Sequence, residues 1–279
     1  MNYRHAFHAG NFADVHKHVV LLALLAHLQR KPTGFLYLDT HAGRGRYDLR
    51  SADATRGNEW RSGIGRLNAA KPASEDLRRY LQAVSSVTGS DHPTAYPGSP
   101  VLAAGQLRDT DRAVLVEQQP EEVRALERAL PHRRGMSVIC GDGYAALKTY
   151  LPPKENRGLV LIDPPYESEG EFAAVEHALE FGLGRWSSGV FAIWYPIKAS
   201  PESRRFLTSL QRSGLRKLLV LEMNLRPANS PLGLNGSGLV IANPPWQLDV
   251  AMRETLDELL QLLSPDKTGS VRIEWLVGE

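Results

Sequence analysis

The chain has 279 residues, of which 42% are hydrophobic and 23% are charged, so composition excludes a disordered or fibrous protein. Its 33 basic and 31 acidic residues leave a net charge of +2, which is too small to indicate a nucleic-acid partner by itself. Cys140 is the only cysteine, which excludes an intrachain disulfide and favours a reducing, cytoplasmic compartment.

The first predicted element is a helix that Asn11 or Asp14 can cap and that runs to about Lys31, before the breakers at 32–34. It contains the longest apolar run of the chain, residues 19–26, which is too short to span a membrane. Because Asp14 and several histidines precede the run, we expect the first helix of a soluble protein without membrane association rather than a signal peptide.

Further along the chain, short apolar runs alternate with segments of helix length. Seven strands are predicted, at residues 35–38, 113–116, 137–140, 158–162, 190–194, 217–221 and 238–242. This alternation predicts a Rossmann-like α/β fold with a mostly parallel, doubly wound sheet and helices on both faces. Residues from about 47 to 95 are polar and rich in arginine, and they predict a small helical insertion within a single domain of residues 1–279.

The most informative motif follows the strand at 158–162 and consists of Asp163, Pro164, Pro165 and Tyr166. Open α/β sheets place their sites at this end of a strand. An exocyclic amino group is a poor nucleophile, and Asp163 and the Pro164 carbonyl can both accept hydrogen bonds from it. Pro165 stiffens the turn, and Tyr166 offers a ring for an unstacked base. The four residues therefore predict a catalytic site for group transfer to a planar amino group, while a simple Pro-Pro turn is the structural alternative.

A second copy of this motif, Asn243-Pro-Pro-Trp246, follows the apolar run at 238–242 and could serve the same chemistry. Too few residues follow Trp246 for the remaining strands of a doubly wound sheet, whereas enough follow Tyr166. We therefore assign the chemistry to the first copy and expect the second to end a late strand.

Polar groups also follow the first three strands, where a nucleotide-like cofactor would lie. Gly43 belongs to a glycine turn that lets the backbone approach a ligand closely, Glu117 can hold two ribose hydroxyls, and Asp142 can accept a hydrogen bond from an adenine amino group. Together these groups favour S-adenosylmethionine as the cofactor. The turn lacks the third glycine of the dinucleotide fingerprint, which weakens the alternative of a nicotinamide dehydrogenase.

The histidines near the amino terminus could indicate a metal, but no cysteine accompanies them, and residues 16 and 18 point to different faces of a helix. We therefore expect no metal site. Taken alone, His18 is interpreted as a helix-surface residue.

Several motifs together resemble the bacterial 23S ribosomal RNA adenine-N6 methyltransferase J family. The resemblance covers nearly the whole chain and is carried by Tyr3-Arg-His5, Phe7-His-Ala-Gly-Asn11, Asp14, Lys17-His18, Leu38-Asp-Thr-His-Ala-Gly43, Tyr96-Pro-Gly-Ser-Pro100, Asp163-Pro-Pro-Tyr166 and Trp194-Tyr-Pro196. It implies a class I methyltransferase fold with a helical insertion. It also implies cofactor contacts from Lys17, His18, His41, Ser99, Glu117, Asp142, Gly143 and Asp163, and an RNA contact from Tyr3.

The sequence thus predicts an enzyme that moves a methyl group from S-adenosylmethionine to the N6 amino group of an adenine in 23S rRNA, naked or in an early assembly intermediate, and that acts as a monomer. Arg56, Arg61 and Arg66 of the insertion are predicted to bind RNA phosphates, and the basic patch between Arg204 and Lys217 is the alternative surface. The rival hypotheses are a DNA adenine or protein-glutamine amino-methyltransferase and an RNA-binding protein without cofactor affinity.

Overall fold

The computed structural model describes residues 5–88, 94–231, 233–264 and 268–278. Its strands, numbered along the chain, are β1 (Leu36–Asp39), β2 (Arg46–Asp48), β3 (Ala95–Pro97), β4 (Arg112–Glu117), β5 (Met136–Cys140), β6 (Gly158–Ile162), β7 (Val190–Ile197), β8 (Leu218–Asn224), β9 (Gly236–Ala242) and β10 (Ser270–Val277). Eight of them form one sheet in the order β10-β8-β9-β7-β6-β1-β4-β5, and β2 and β3 form a separate antiparallel ribbon.

The core of the large sheet is parallel, as predicted. Strand β1 pairs in parallel with β4 and β6, β4 with β5, and β6 with β7. Strand β9 is antiparallel to both of its neighbours, β7 and β8, and β10 is antiparallel to β8 at the edge. The predicted fold class and the seven predicted strands are confirmed.

The predicted number of strands was wrong, because β10 adds an eighth. Its residues alternate between polar and apolar side chains, and none of them is fully buried. An edge strand that contacts the core with one face lacks the continuous apolar run that marks the central strands, so its sequence carries a weaker strand signal.

Ten α-helices cover the described part of the chain. They are α1 (Phe12–Gln29), α2 (Ala52–Gly57), α3 (Ile64–Leu67), α4 (Glu75–Thr88), α5 (Ser99–Gln106), α6 (Pro120–Ala129), α7 (Gly143–Tyr150), α8 (Glu171–Arg185), α9 (Glu202–Arg212) and α10 (Leu248–Leu263). None of the helices in the ranges that the structure describes is long and apolar enough to cross a membrane.

The helices form two layers because alternate strand residues point to opposite faces of the sheet. In β1, Tyr37 contributes to the core shared with α1, α4, α5, α6 and α10, whereas Leu36 and Leu38 contribute to the core shared with α7, α8 and α9. The sheet is therefore covered on both faces, which leaves its carboxyl edge as the place for a site.

Helix α1 begins after Asn11, whose side chain accepts hydrogen bonds from the backbone N–H groups of Ala13 and Asp14 at 3.0 Å each. Asn11 is therefore the cap, and Asp14 is free for other contacts. The helix is buried along most of its length, including His16, Lys17 and His18. Polar side chains on a buried helix need partners, and the partners of these residues define much of the site described below.

The segment between β2 and β3 is mainly helical and contains α2, α3 and α4. The β2–β3 ribbon joins its two ends, since Arg46 pairs with Pro97 and Asp48 with Ala95. Leu77 and Tyr80 of α4 are fully buried in the core that also holds α1. The segment thus packs on the core of the α/β fold along α4, while its arginines face outward.

Candidate active site

Four parallel strands end side by side at one edge of the sheet. Strand β1 ends at Asp39, β4 ends at Glu117, β5 is followed by Asp142, and β6 is followed by Asp163. The register pairs Asp39 with residues of both β4 and β6, and Glu117 with Cys140 of β5. The structure thus brings the carboxylates predicted for the cofactor and for catalysis to one edge.

Asp163 forms an ion pair with Lys17, which lies 146 residues earlier in the chain. Lys17 Nζ donates to Asp163 Oδ2 at 2.5 Å and to Asp14 Oδ1 at 2.9 Å. Only 5% of the Lys17 side chain and 14% of the Asp163 side chain are exposed. Burial alone would lower the pKa of Lys17, but the two carboxylates raise it, so the lysine stays charged. Lys17, expected among the cofactor contacts, therefore fixes the carboxylate that was predicted to be catalytic.

Asp14 is the second carboxylate of this cluster and was not among the predicted site residues. Its Oδ2 accepts from Gly10 N and from His5 Nε2, each at 3.0 Å. Burial alone would raise the pKa of Asp14, but the charges of His5 and Lys17 and the hydrogen bond from His5 hold it well below its usual range. Its spacing of three residues from Lys17 on a helix was the available signal.

Tyr166 is held in place at the end of the motif. Its backbone has a φ of +52°, in the left-handed region that a residue with a side chain rarely adopts. Its hydroxyl donates to the carbonyl of Trp194 at 2.6 Å, and its ring lies 4.7 Å from Phe172 and 5.7 Å from Trp194 between centroids. Such a strained, fixed turn is typical of a functional site.

Trp194, for which no role was predicted, forms one wall beside the Lys17–Asp163 ion pair. Lys17 Nζ lies 5.8 Å from the centre of its ring. Its Nε1 donates to Ser237 Oγ at 2.9 Å, which fixes the ring. Tyr166 and Trp194 thus place two aromatic rings next to Asp163, an arrangement suited to a planar base.

The second copy of the motif lies at the opposite edge of the sheet. Strand β9 runs antiparallel, and its last residue, Ala242, pairs with Phe191 near the start of β7. Asn243 Nδ2 donates to the carbonyls of Ser187 and Gly189 at 2.8 Å each. Asn243 therefore caps a structural turn, far from the strand ends that carry Asp163.

The loop after β1 contacts Glu117 directly. Gly43 has a φ of +62°, and its N–H donates to Glu117 Oε2 at 2.9 Å, while Gln119 N donates to Oε1 at 2.7 Å. Burial raises the pKa of Glu117, and the hydrogen bonds from Gln119 and Gly43 oppose that effect. Each carboxylate oxygen retains an acceptor site, as a contact with two ribose hydroxyls requires.

Asp142 caps α7, since its Oδ1 accepts from Tyr144 N at 2.8 Å and from Ala145 N at 3.3 Å. Its Oδ2 has no hydrogen bond within the described residues. Gly143 packs so tightly against the Thr40 carbonyl that a Cβ atom would not fit. The turns after β1 and β5 therefore approach each other closely at this edge of the sheet.

A buried network under the β1 loop was missed in the sequence. Asp39 is fully buried, and its Oδ2 accepts from Ser99 Oγ at 2.7 Å and from Tyr37 OH at 2.8 Å, while Oδ1 accepts from His41 N at 3.2 Å. Burial raises the pKa of Asp39 to about 6, against the hydrogen bonds from Ser99 and Tyr37. Ser99 and His41 thus shape the loop through Asp39, whose position at the end of β1 was the available signal.

His18 is buried, so its interpretation as a helix-surface residue, made for this residue taken alone, was wrong. It is 1% exposed, and its Nδ1 lies 2.7 Å from Tyr96 OH, which in turn lies 3.0 Å from Tyr80 OH. Burial and the charge of Lys17 lower its pKa to about 3, so the ring is neutral. Its place among the cofactor contacts stays a prediction.

The predicted RNA-binding residues differ in their surroundings. Tyr3 lies outside the described residues. Arg56 and Arg61 are exposed, and Arg61 stacks on the ring of Trp60, 5.5 Å from its centre. Arg66 instead donates to the carbonyl of Leu263 at 2.6 Å and so links α3 to the end of α10.

No cluster of three or more potential metal ligands occurs among the residues with described positions.

The strand order, the antiparallel β9 inserted beside β7 and the polar strand ends define a class I methyltransferase. A family model described as "Ribosomal RNA large subunit methyltransferase D, RlmJ" matches residues 32–277. The chain belongs to the ribosomal RNA large subunit methyltransferase J family, whose members depend on S-adenosylmethionine. The predicted family and enzyme class, a methyltransferase of large-subunit ribosomal RNA, are confirmed.

Individual relatives agree with this assignment. The chain is 42% identical over 280 residues to ribosomal RNA large subunit methyltransferase J of Haemophilus influenzae and 38% identical over 279 residues to that of Escherichia coli, each over the full length of both chains. The crystal structure of protein LPL1258 from Legionella pneumophila is similar with a TM-score of 0.88 and 34% identity, over 96% of this chain and 98% of that one.

Proposed function

We propose that the protein methylates the N6 amino group of one adenine in 23S rRNA. One observation carries this proposal: Asp163, in a motif suited to amino groups, lies beside the strand ends that fit an adenosine cofactor. S-adenosylmethionine, when bound, supplies an electrophilic methyl group at this edge. Glu117 and Asp142 fit its adenosine, because their carboxylates keep free acceptor sites, and Gly43 and Gly143 shape the turns on which it would lie.

Asp163 would orient the nucleophile. Lys17 engages its Oδ2, which leaves Oδ1 to accept one N–H of the adenine amino group, and the Pro164 carbonyl accepts the other. Both acceptors favour a pyramidal nitrogen whose lone pair is free to attack. Asp163 and the Pro164 carbonyl would direct this lone pair at the methyl group that the cofactor would supply when bound, with the thioether of the cofactor as leaving group, and one N–H proton would then pass to Asp163 or to water. The hydrogen bonds strengthen as the nitrogen becomes positive, so they stabilise the transition state more than the ground state.

The aromatic rings would hold the target base. Tyr166 and Trp194 lie 5.7 Å apart and near a right angle, so the base can stack on one ring and meet the edge of the other. An adenine inside a helix cannot reach Asp163, and we infer that it is taken out of its stack. Arg56, Arg61 and Tyr3 remain the proposed RNA contacts within a single domain of residues 1–279. We infer a monomer that acts in the cytoplasm, where ribosomal RNA is found, on naked RNA or an early assembly intermediate.

The proposal is tested by mapping N6-methyladenine in 23S rRNA from cells with and without the gene. We expect one adenine to lose its methyl group in the deletion and to regain it with the wild-type gene. The purified protein should also methylate deproteinised 23S rRNA from the deletion strain. Methyl transfer to DNA or to a release factor, with none to 23S rRNA, would contradict the proposal and favour the rival amino-methyltransferases.

A further inference from the structure

An open groove of about 360 Å³ lies between the ribbon strand β2 and helix α6. Its charged lining consists of Arg46, Asp48, Arg50 and Arg128. It lies outside the cluster around Asp163 and contains none of Arg56, Arg61 and Arg66. The groove is nevertheless close to the strand ends that carry the candidate active site, because Arg46 directly follows Gly45 in the loop after β1.

The groove results from two local patterns. Along β2 and the residues after it, Arg46, Asp48 and Arg50 are exposed, while Tyr47 and Leu49 are buried, so the three charged side chains share the outer face. On α6 the groove is lined by small residues at positions 125 and 129 and by Arg128 between them. The small alanine side chains at both positions leave room for the groove, and the three arginines of the lining border it.

The groove is positively charged, since three guanidinium groups face one carboxylate, a balance of +2 from three minus one. Arg50 Nε donates to Asp48 Oδ1 at 3.3 Å, and their side chains are 74% and 55% exposed. A pair so exposed contributes little to stability, so folding does not explain the arginines. Glu122, an acid on the same helix, is already paired with Arg44 at 2.6 and 2.8 Å. Among the described residues, Arg46 and Arg128 have no ion pair.

We propose that this groove binds the phosphates of the RNA strand that flanks the target adenine, an inference that rests on the proposed function. Arginine pairs with phosphate through two parallel hydrogen bonds. The row from Arg46 to Arg50 covers about 7 Å along β2, at roughly 3.3 Å for each extended residue, and Arg50 follows in the turn after the strand. Phosphates recur about every 3.4 Å along the axis of a nucleic-acid strand, so the row spans more than one of them. A small anion would need only one arginine, whereas a groove open along its length fits a continuous backbone.

The test compares two triple variants of equal charge. In the first, Arg46, Arg50 and Arg128 are changed to alanine; in the control, the exposed residues Arg30, Lys31 and Lys154 at the opposite edge of the sheet are changed to alanine. Affinity for deproteinised 23S rRNA is measured across a salt series. Each lost phosphate contact should lower the salt slope by about 0.7 to 0.9, so the groove variant should lose about two units. It should also bind about tenfold more weakly or worse near physiological salt.

The control variant should keep both the slope and the affinity of the wild type. Thermal melting and binding of S-adenosylhomocysteine show whether each variant is folded. A groove variant with the wild-type slope, or an equal fall in both triple variants, overturns the proposal. Methyl transfer by the wild-type enzyme is measured separately. If the wild type does not methylate 23S rRNA, the proposed function fails, whereas methyl transfer with an unchanged slope in the groove variant overturns the groove alone.

Discussion

Replacing Asp163 with alanine is the most direct test of the site. The change removes the acceptor for the amino group and also one partner of Lys17, whose ammonium group is 2.5 Å from Asp163 Oδ2. The proposed hydrogen bond strengthens as charge develops on nitrogen, so its loss should affect turnover more than substrate binding. We expect the cofactor to bind nearly as well as in the wild type, because Glu117, Asp142 and the glycine turns remain intact.

We expect turnover to fall about a hundredfold to a thousandfold, which corresponds to an activation free energy higher by about 2.7–4 kcal/mol. This is the usual effect of removing one preorganised group that stabilises charge in the transition state. Stability should fall as well, because removing one member of a buried ion pair leaves the other without compensation. Asp14 still contacts Lys17 at 2.9 Å, so we expect a loss of about 2 kcal/mol, below the usual range for a broken buried pair. The variant should therefore fold and remain measurable.

Methyl transfer to deproteinised 23S rRNA measures turnover, and calorimetry with S-adenosylhomocysteine measures the cofactor site. The matched control is Asn243→Ala in the second copy of the motif. Asn243 lies at the opposite edge of the sheet, and its side chain donates to the carbonyls of Ser187 and Gly189, so its loss should lower stability and leave turnover near the wild-type value. Near-normal turnover in Asp163→Ala, or a large loss in Asn243→Ala, would refute the assignment of the chemistry to Asp163.

Three further predictions concern the cofactor, pH and RNA. Glu117→Ala should weaken S-adenosylmethionine and S-adenosylhomocysteine together by about 1.5–3 kcal/mol, and unchanged calorimetric affinities would contradict the ribose contact. The pKa of His18 is lowered to about 3, so the neutral ring stabilises the fold above pH 6.5, and this contribution is lost as pH falls toward 3. In urea unfolding, His18→Gln should therefore reduce the difference in unfolding free energy between pH 7 and pH 5 by about 2 kcal/mol. An unchanged difference would exclude His18 as its source. Arg56→Ala with Arg61→Ala should flatten the salt dependence of RNA binding by up to about two units, whereas Arg66→Ala should mainly lower the melting temperature; a wild-type slope in the double variant would favour the patch between Arg204 and Lys217.

The sequence determined the fold class and predicted that the polar strand ends meet at one edge of the sheet. Continuous apolar runs mark strands that are buried on both faces, and this property depends only on neighbouring residues. The motif at Asp163 and the polar ends of β1, β4 and β5 follow those runs directly, so their place at one edge could be predicted. Strand β10 was not predicted, because an alternating edge strand carries a weaker local signal in the sequence.

The tertiary structure decided what depends on long-range packing. The direction of β9 follows from its antiparallel pairing with β7 and β8, and this direction places Asn243 opposite Asp163 although their motifs are nearly identical. The Lys17–Asp163 pair joins residues 146 positions apart, and the burial of His18 follows from how α1 packs against Tyr96. A local pattern shows that a side chain will be buried, but only the packing of distant elements decides its partner, because a buried charge or polar group is stable only where the fold supplies one.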